Sequence, residues 1–167
     1  MVVDLWGGYA DFNRATPWQK DTLVNVHSTT KGFTSACVHR LVDQGRVDID
    51  QPVAHYWPEF ARNGKGGITI RHVLCHRAGL PAIKEPLPAE AMFDWRTMTS
   101  ALADQAPWWL PGTRHGYHAH TYGWLLGEVV RRVTGKSLGA YFREEIAGPL
   151  GIDFHIGLPE RHHQRVA

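Results

Sequence analysis

His27-Ser28-Thr29-Thr30-Lys31-Gly32 sets a hydroxyl and an amine three residues apart. On a helix that spacing brings two side chains to nearly the same face, so Ser28 and Lys31 are expected side by side, a nucleophile with a group to manage its proton. At a helix mouth the orphan backbone N–H groups and the dipole also favour negative charge, on a serine alkoxide or on the oxyanion it generates. The same residues read equally as an N-cap serine and a lysine on a solvated face. The flanks decide between the two.

Downstream, Phe33, Ala36, Cys37, Val38, Leu41 and Val42 recur at three- and four-residue spacing and Gly45 follows as a natural stop, which predicts a mostly buried helix from Ser28 to about Gln44. Upstream, Thr22-Leu23-Val24-Asn25-Val26 reads as a β-like run, and Val2 to Tyr9 as a strand ending in the turn-like Gly7-Gly8. A chain that opens directly in a strand is expected to begin inside a fold.

Further along, His55 to Phe60 is a brief aromatic segment, and Asn63-Gly64-Lys65-Gly66-Gly67 has the composition of an exposed, flexible loop. Thr69 is placed to cap a helix through about Cys75. Three prolines between Pro81 and Pro88 require loop. Ala91 to Ala106 reads as a helix with Met92, Phe93, Trp95, Met98, Leu102 and Ala106 on one stripe, broken by Pro107-Trp108-Trp109-Leu110-Pro111-Gly112. A long helix is expected from near Thr121 to Thr134, with Trp124, Leu125, Val129 and Val133 inward, Arg131 and Arg132 at its negative end, and Gly135 ending it. Ser137 caps another to about Ile146, and the tail to Ala167 is polar without a period.

The 167 residues suit one domain with a real core. Eighteen Lys and Arg against sixteen Asp and Glu, with both signs scattered, point neither to nucleic acid nor to an anionic membrane. No apolar run is long enough to cross a bilayer, and the first residues lack the basic start of a signal peptide. Cys37 and Cys75 are expected as reduced, buried thiols in a cytoplasmic protein, with one disulfide as the lesser reading. His115, His118 and His120 cluster in sequence, but no carboxylate or cysteine completes a zinc set, so structural or pocket-lining roles are expected and no metal or cofactor.

Four stretches taken in order resemble the serine β-lactamase and penicillin-binding-protein superfamily, and within it the family VIII carboxylesterases. They are Ser28-Thr29-Thr30-Lys31; Leu41 to Val53; Ile68 to Pro81, which contains His76-Arg77-Ala78-Gly79-Leu80; and Pro111-Gly112-Thr113 followed by Tyr117-His118-Ala119. The resemblance runs from about Val2 to Gly151. It implies an α+β fold of β-lactamase/transpeptidase type, with Ser28 as nucleophile and Lys31 and Tyr117 sharing proton transfer through an acyl-enzyme. Either a lysine with a lowered pKa or a tyrosinate stabilised by that lysine can serve as base, and the alternative is left open.

His118 follows the tyrosine where many members carry serine, so it is expected to touch substrate. Trp108 and Trp109, just before the tyrosine loop, are expected as core or pocket wall, with acyl recognition as the lesser reading. His76 is read as part of a fold-holding turn. Tyr117-His118-Ala119, in place of the usual Tyr-Ser-Asn or Ser-Asp-Asn, and Arg77-Ala78-Gly79-Leu80 resemble the esterase branch, and that resemblance implies esters with small acyl groups as substrates ahead of β-lactams or D,D-peptides.

The chain also departs from the pattern. The superfamily's third motif, on a strand after the helical region, has no counterpart; Lys65-Gly66-Gly67 and Thr134-Gly135 lie in the wrong places. Residues 1–167 are therefore expected as one partial domain, mostly the helical region with a fragment of the antiparallel sheet. Loss of the oxyanion donor on that strand is expected to cost on the order of 10²- to 10³-fold in kcat. The rival expectation is a non-catalytic fragment that forms a homo-oligomer or pairs with a complementing chain across an open sheet edge.

Overall fold

The computed structural model describes residues 3–167, which cluster into two compact units. The larger, Ser28–Ile156, is helical. Helix α1 (Thr30–Asp43) continues from a 3-10 turn over His27–Thr29 and buries Thr34, Cys37, Val38 and Leu41. Phe33 and Val42 pack beside them, whereas Ala36 faces out, because the buried stripe follows the i, i+3, i+4 rows through Cys37 and Leu41. Gly45 (φ +68°) turns the chain away.

Two short turns, α2 (Val53–Tyr56) and a 3-10 turn over Pro58–Ala61, carry the aromatic segment, with Trp57 and Phe60 buried. Helix α3 (Ile70–Leu74) is only five residues long and depends on its cap. Thr69 Oγ1 accepts from the His72 N–H at 3.2 Å while His72 Nδ1 accepts from the Thr69 N–H at 3.3 Å. This is a capping box with histidine in place of the usual glutamate.

The helix expected over Ala91–Ala106 divides in two. Ala89–Phe93 is a 3-10 turn, Asp94 is extended, and its carboxylate accepts from the Thr97 N–H at 2.9 Å to start α4 (Trp95–Asp104). Met92 and Phe93 therefore fall outside the helix, and Phe93 is 92% exposed.

Helix α5 (Thr121–Thr134) matches the expected span and is the axis of the unit, packing on α1, α2, α3, α4 and on α6 (Leu138–Phe142). It buries Leu125, Leu126, Val129 and Val130, each worth about 1.5–3 kcal/mol against exposure, while Trp124 and Val133 pack at the edge of the core. Glu128 is buried on the same helix and held by the guanidinium groups of Arg131 and Arg132 and by the Trp95 indole N–H. Burial alone would raise its pKa; those three donors outweigh it and hold the carboxyl at about 2. Gly135 (φ +74°) closes α5. Ser137 caps α6 through the Ala140 N–H, and the helical path widens into a π turn over Arg143–Ala147 before α7 (Gly148–Leu150).

Residues 63–67 form an exposed turn, as expected, except at Lys65. Its side chain is fully buried, and Nζ donates to the carbonyls of Arg62 (2.7 Å), Ala103 (2.9 Å) and Gln105. Its ammonium ties the loop to the C-terminus of α4, where the dipole favours a cation. Burial, against the attraction of Asp104, holds this lysine down to about 8.

The smaller unit comprises residues up to His27 with Gly157–Ala167. The expected strand Val2–Tyr9 begins outside the described residues, and from Val3 on it forms no ladder. Residues 8–18 fold back on themselves instead: Trp18 N–H donates to the Gly8 carbonyl at 2.9 Å and Ala10 N–H to that of Thr16 at 2.8 Å, leaving one bridge, Tyr9 to Pro17. Leu23 makes a single parallel bridge to Val166 in the tail, which carries a 3-10 turn over Glu160–Arg165. The expected antiparallel sheet fragment is thus reduced to isolated bridges among the described residues, since a strand is stable only as part of a ladder and these backbone groups are spent locally.

Both cysteines are free, Cys37 buried and Cys75, contrary to expectation, exposed at the end of α3. Burial pushes the Cys37 thiol up to about 12. No helix among the described residues is long and apolar enough to cross a membrane.

Candidate active site

Ser28 sits in the 3-10 turn ahead of α1, and the cap position falls one residue later, on Thr29, whose side chain makes no capping bond. The serine hydroxyl is exposed and faces Lys31, one turn along, whose Nζ lies 3.2 Å from Ser28 Oγ. A second bond from the same ammonium, 2.7 Å to the carbonyl of Ala119, fixes the lysine between α1 and the loop before α5. Nζ also lies 4.8 Å from the centre of the Tyr117 ring. The Tyr117 side chain hydrogen-bonds to Ser28 and to Lys31, and those bonds, the serine's first, hold its phenol below the ordinary value of 10. Ser28, Lys31 and Tyr117 are therefore one hydrogen-bonded group, 89 positions apart in sequence at its extremes and open to solvent, with Tyr117 49% exposed.

The loop that delivers Tyr117 is laced to the turn after α3. Trp108 N–H donates to the Gly79 carbonyl (2.7 Å), Gly112 N–H to that of Arg77 (2.9 Å), and Gly116 N–H to that of His76 (3.1 Å). Arg77 reaches back to the Gly112 carbonyl. Two glycines make this approach feasible. Gly79 (φ +76°) could not carry a Cβ, which would lie 2.7 Å from the Trp109 carbonyl; at Gly116 a Cβ would lie 2.4 Å from the Trp109 ring.

His118 stands apart from the hydrogen-bonded group. Its side chain is fully buried, with Nε2 accepting from the Leu80 N–H at 3.2 Å and Nδ1 2.6 Å from the Gly116 carbonyl, an arrangement that requires the neutral ring protonated on Nδ1. Burial accordingly holds it down to about 4. The polar ring that sequence order placed beside the tyrosine points inward because the chain alternates sides there, Tyr117 out and His118 in. Trp109 packs its ring under Gly116, while Trp108, half exposed, donates from Nε1 to the Ala82 carbonyl at 3.0 Å with Lys84 over its face. Neither tryptophan belongs to the hydrogen-bonded group. Because both ring nitrogens of His118 are engaged within the protein, the three histidines of this loop do not converge as ligands, and no metal-holding group of His, Cys, Asp or Glu occurs among the described residues.

Two contributors escape side-chain reasoning. Ala119 acts through its carbonyl, which no side-chain pattern reports. His76 touches Tyr117 from behind, ring centres 4.8 Å apart, and its Nδ1 accepts from the His118 N–H at 3.1 Å; the signal was present in the spacing His76-x-x-Gly79-Leu80.

Residues 1–167 match the family model described as Beta-lactamase. The chain is 43% identical over 159 residues to "Esterase/beta-lactamase LipL" of Mycobacterium tuberculosis, covering 95% of this chain and 37% of that protein. It is 31% identical over 174 residues to "Esterase EstB" of Burkholderia gladioli, covering 92% and 44%. Among solved structures, one titled as a family VIII carboxylesterase superposes with a TM-score of 0.96 at 48% identity over 99% of this chain and 46% of that one. A penicillin-binding protein homolog from Caulobacter crescentus superposes at 0.93 with 45% identity, covering 96% and 43%. The chain spans less than half the length of each.

Proposed function

The chain belongs to the Beta-lactamase family, and from that premise we propose that it carries the nucleophile and proton-transfer groups of a serine hydrolase acting on short-acyl carboxylic esters. The observation that carries the proposal is the contact of Ser28 Oγ with both Lys31 Nζ and the Tyr117 phenol. A free serine hydroxyl is a poor nucleophile at neutral pH and needs a base within hydrogen-bond reach.

Tyr117 is the base in this reading. Its phenol is held low by the two bonds it makes, and Lys31 supports the phenolate while it stays anchored on the Ala119 carbonyl. Ser28 Oγ bonds to the ester carbonyl carbon as its proton passes to Tyr117, and the carbonyl electrons move onto oxygen. Collapse breaks the bond to the alcohol oxygen, which takes the proton from Tyr117 and leaves an acyl-Ser28. Water then repeats the sequence, giving its proton to Tyr117 and releasing the acid. The backbone N–H groups that the start of α1 leaves without helical partners are assigned the oxyanion in this scheme. Trp108, half exposed, is kept as a wall on the acyl side.

Esters are preferred over β-lactams because the sequence at Tyr117-His118-Ala119 resembles the esterase branch and LipL, EstB and the family VIII structure carry esterase in their names; LipL's name includes both activities. Turnover of p-nitrophenyl butyrate beside nitrocefin separates the two. Ser28→Ala is expected to abolish the ester activity, and a variant that keeps it refutes the assignment. Residues 1–167 form part of a single β-lactamase-like domain in this proposal, and a cytoplasmic setting fits the two free thiols. Assembly with a second copy or a complementing chain would appear as an enlarged mass on size exclusion.

A further inference from the structure

His76 occupies an unusual position for a residue outside the hydrogen-bonded group. Its backbone lies in the left-handed region (φ +58°), which a non-glycine residue enters at an energetic cost that surrounding contacts must outweigh. In that conformation it bonds the tyrosine loop twice. Its carbonyl accepts from the N–H of Gly116, 3.1 Å away, and its Nδ1 accepts from the N–H of His118, also 3.1 Å away. The residue between those two is Tyr117, against whose ring the imidazole rests. One histidine thus grips the backbone on both sides of the residue that contacts Ser28.

We propose that His76 is a positioning residue which holds Tyr117 against Ser28 and Lys31 through this two-sided grip, and that protonation of its ring opens the grip and switches the site off in acid. The inference rests on the reading of Tyr117 as the proton-transfer residue. An imidazole whose Nδ1 accepts a hydrogen bond carries its single proton on Nε2. A second proton on Nδ1 sets N–H against N–H, and the bond to His118 is lost. The groups around the ring are Lys31 from α1, Tyr122 from α5, and His115, Tyr117 and His118 from the loop. No carboxylate is among them to stabilise an imidazolium. Burial first, then the charges of His115 and Lys31, keep the protonated form below the ordinary 6.5, so the grip is closed at neutral pH.

The test uses two variants and one spectroscopic reading. His76→Ala removes the side-chain half of the grip; a displacement of Tyr117 of about 1 Å is expected to lower kcat on the order of 100-fold, with KM little changed because no group facing the substrate is lost. His76→Asn suits the left-handed backbone and offers an amide oxygen to the His118 N–H without titrating. It is expected to recover most of the lost kcat and to move the acid limb of the kcat profile, which in the wild type lies on the acid side of 6.5, to lower pH. Wild-type kcat in His76→Ala, or an unmoved acid limb in His76→Asn, overturns the proposal while leaving Ser28-dependent hydrolysis intact. If the wild type shows no Ser28-dependent turnover, the hydrolase reading fails separately, and the grip is judged from the His118 amide resonance in a ¹⁵N-labelled chain. That resonance is expected to titrate together with the His76 ring; an amide that ignores it overturns the proposal.

Discussion

Acid should weaken this fold through His118 before any carboxylate is involved. The ring is fully enclosed and neutral, with Nε2 committed to the Leu80 N–H and Nδ1 to the Gly116 carbonyl, and burial holds it down to about 4. The unfolded chain binds the proton near 6.5 and the folded chain only near 4, so protons favour the unfolded state between those values. The stabilisation is fully present above pH 6.5 and is lost as pH falls through 4. Linkage puts the loss at roughly 2 kcal/mol by pH 5 and roughly 3 kcal/mol at the bottom of the window. Glu128, held at about 2, adds its own loss only below the ordinary carboxylate value of 4.5. Urea unfolding at pH 7.5 and pH 5, followed by tryptophan fluorescence, reads this step apart from Glu128, with His72 and His76, which burial also holds below 6.5, adding to the loss in wild type and His118→Gln alike. With a slope of about 2 kcal/mol per molar, the midpoint is expected to fall by about 1 M from this residue. His118→Gln keeps an acceptor for the Leu80 N–H, so it is expected to be less stable at pH 7.5 but to lose about 1 M less on acidification. Equal losses in the two proteins refute the reasoning.

Three further outcomes follow from the packing. Gly116→Ala places a Cβ 2.4 Å from the Trp109 ring; the loop must shift by about 1 Å, which is expected to cost about 1–3 kcal/mol in a thermal melt and about 100-fold in ester turnover. Lys65→Met leaves the carbonyls of Arg62, Ala103 and Gln105 without their donor, and a loss of about 2–3 kcal/mol is expected by urea titration; an unchanged midpoint would show that the buried ammonium is dispensable. Glu128→Ala strips the shared partner from Arg131, Arg132 and the Trp95 indole; both guanidinium groups reach solvent and Arg132 keeps Glu59, so a loss of about 1–3 kcal/mol is expected, measured the same way.

What the sequence made legible is what local geometry dictates. Ser28 and Lys31 meet because three residues make nearly one helical turn, and that holds although the cap moved to Thr29. Thr69 caps α3 and Gly135 closes α5 because both signals act within a few residues. Tyr117 follows from the family resemblance and from no local rule, since nothing near it in sequence announces a contact 89 positions away. Lys65 shows the opposite limit: glycines on both sides read as exposed loop, yet its burial is set by carbonyls at Ala103 and Gln105, about forty residues on. The break before α4 was hidden because the apolar spacing runs on through Phe93, while Asp94, a capping type inside that stripe, was the residue to weigh. Strand pairing is the least local property of all, and the runs before Ser28 pair with a neighbouring loop and the tail in place of a sheet.

The central claim, an activated Ser28, is tested most directly by reacting the chain with a fluorophosphonate and reading intact and peptide masses. A single adduct on Ser28 is expected, formed much more slowly in Tyr117→Phe and in Lys31→Ala and absent in Ser28→Ala. An adduct elsewhere, or labelling of Ser28 at an unchanged rate in both partner variants, would contradict the account.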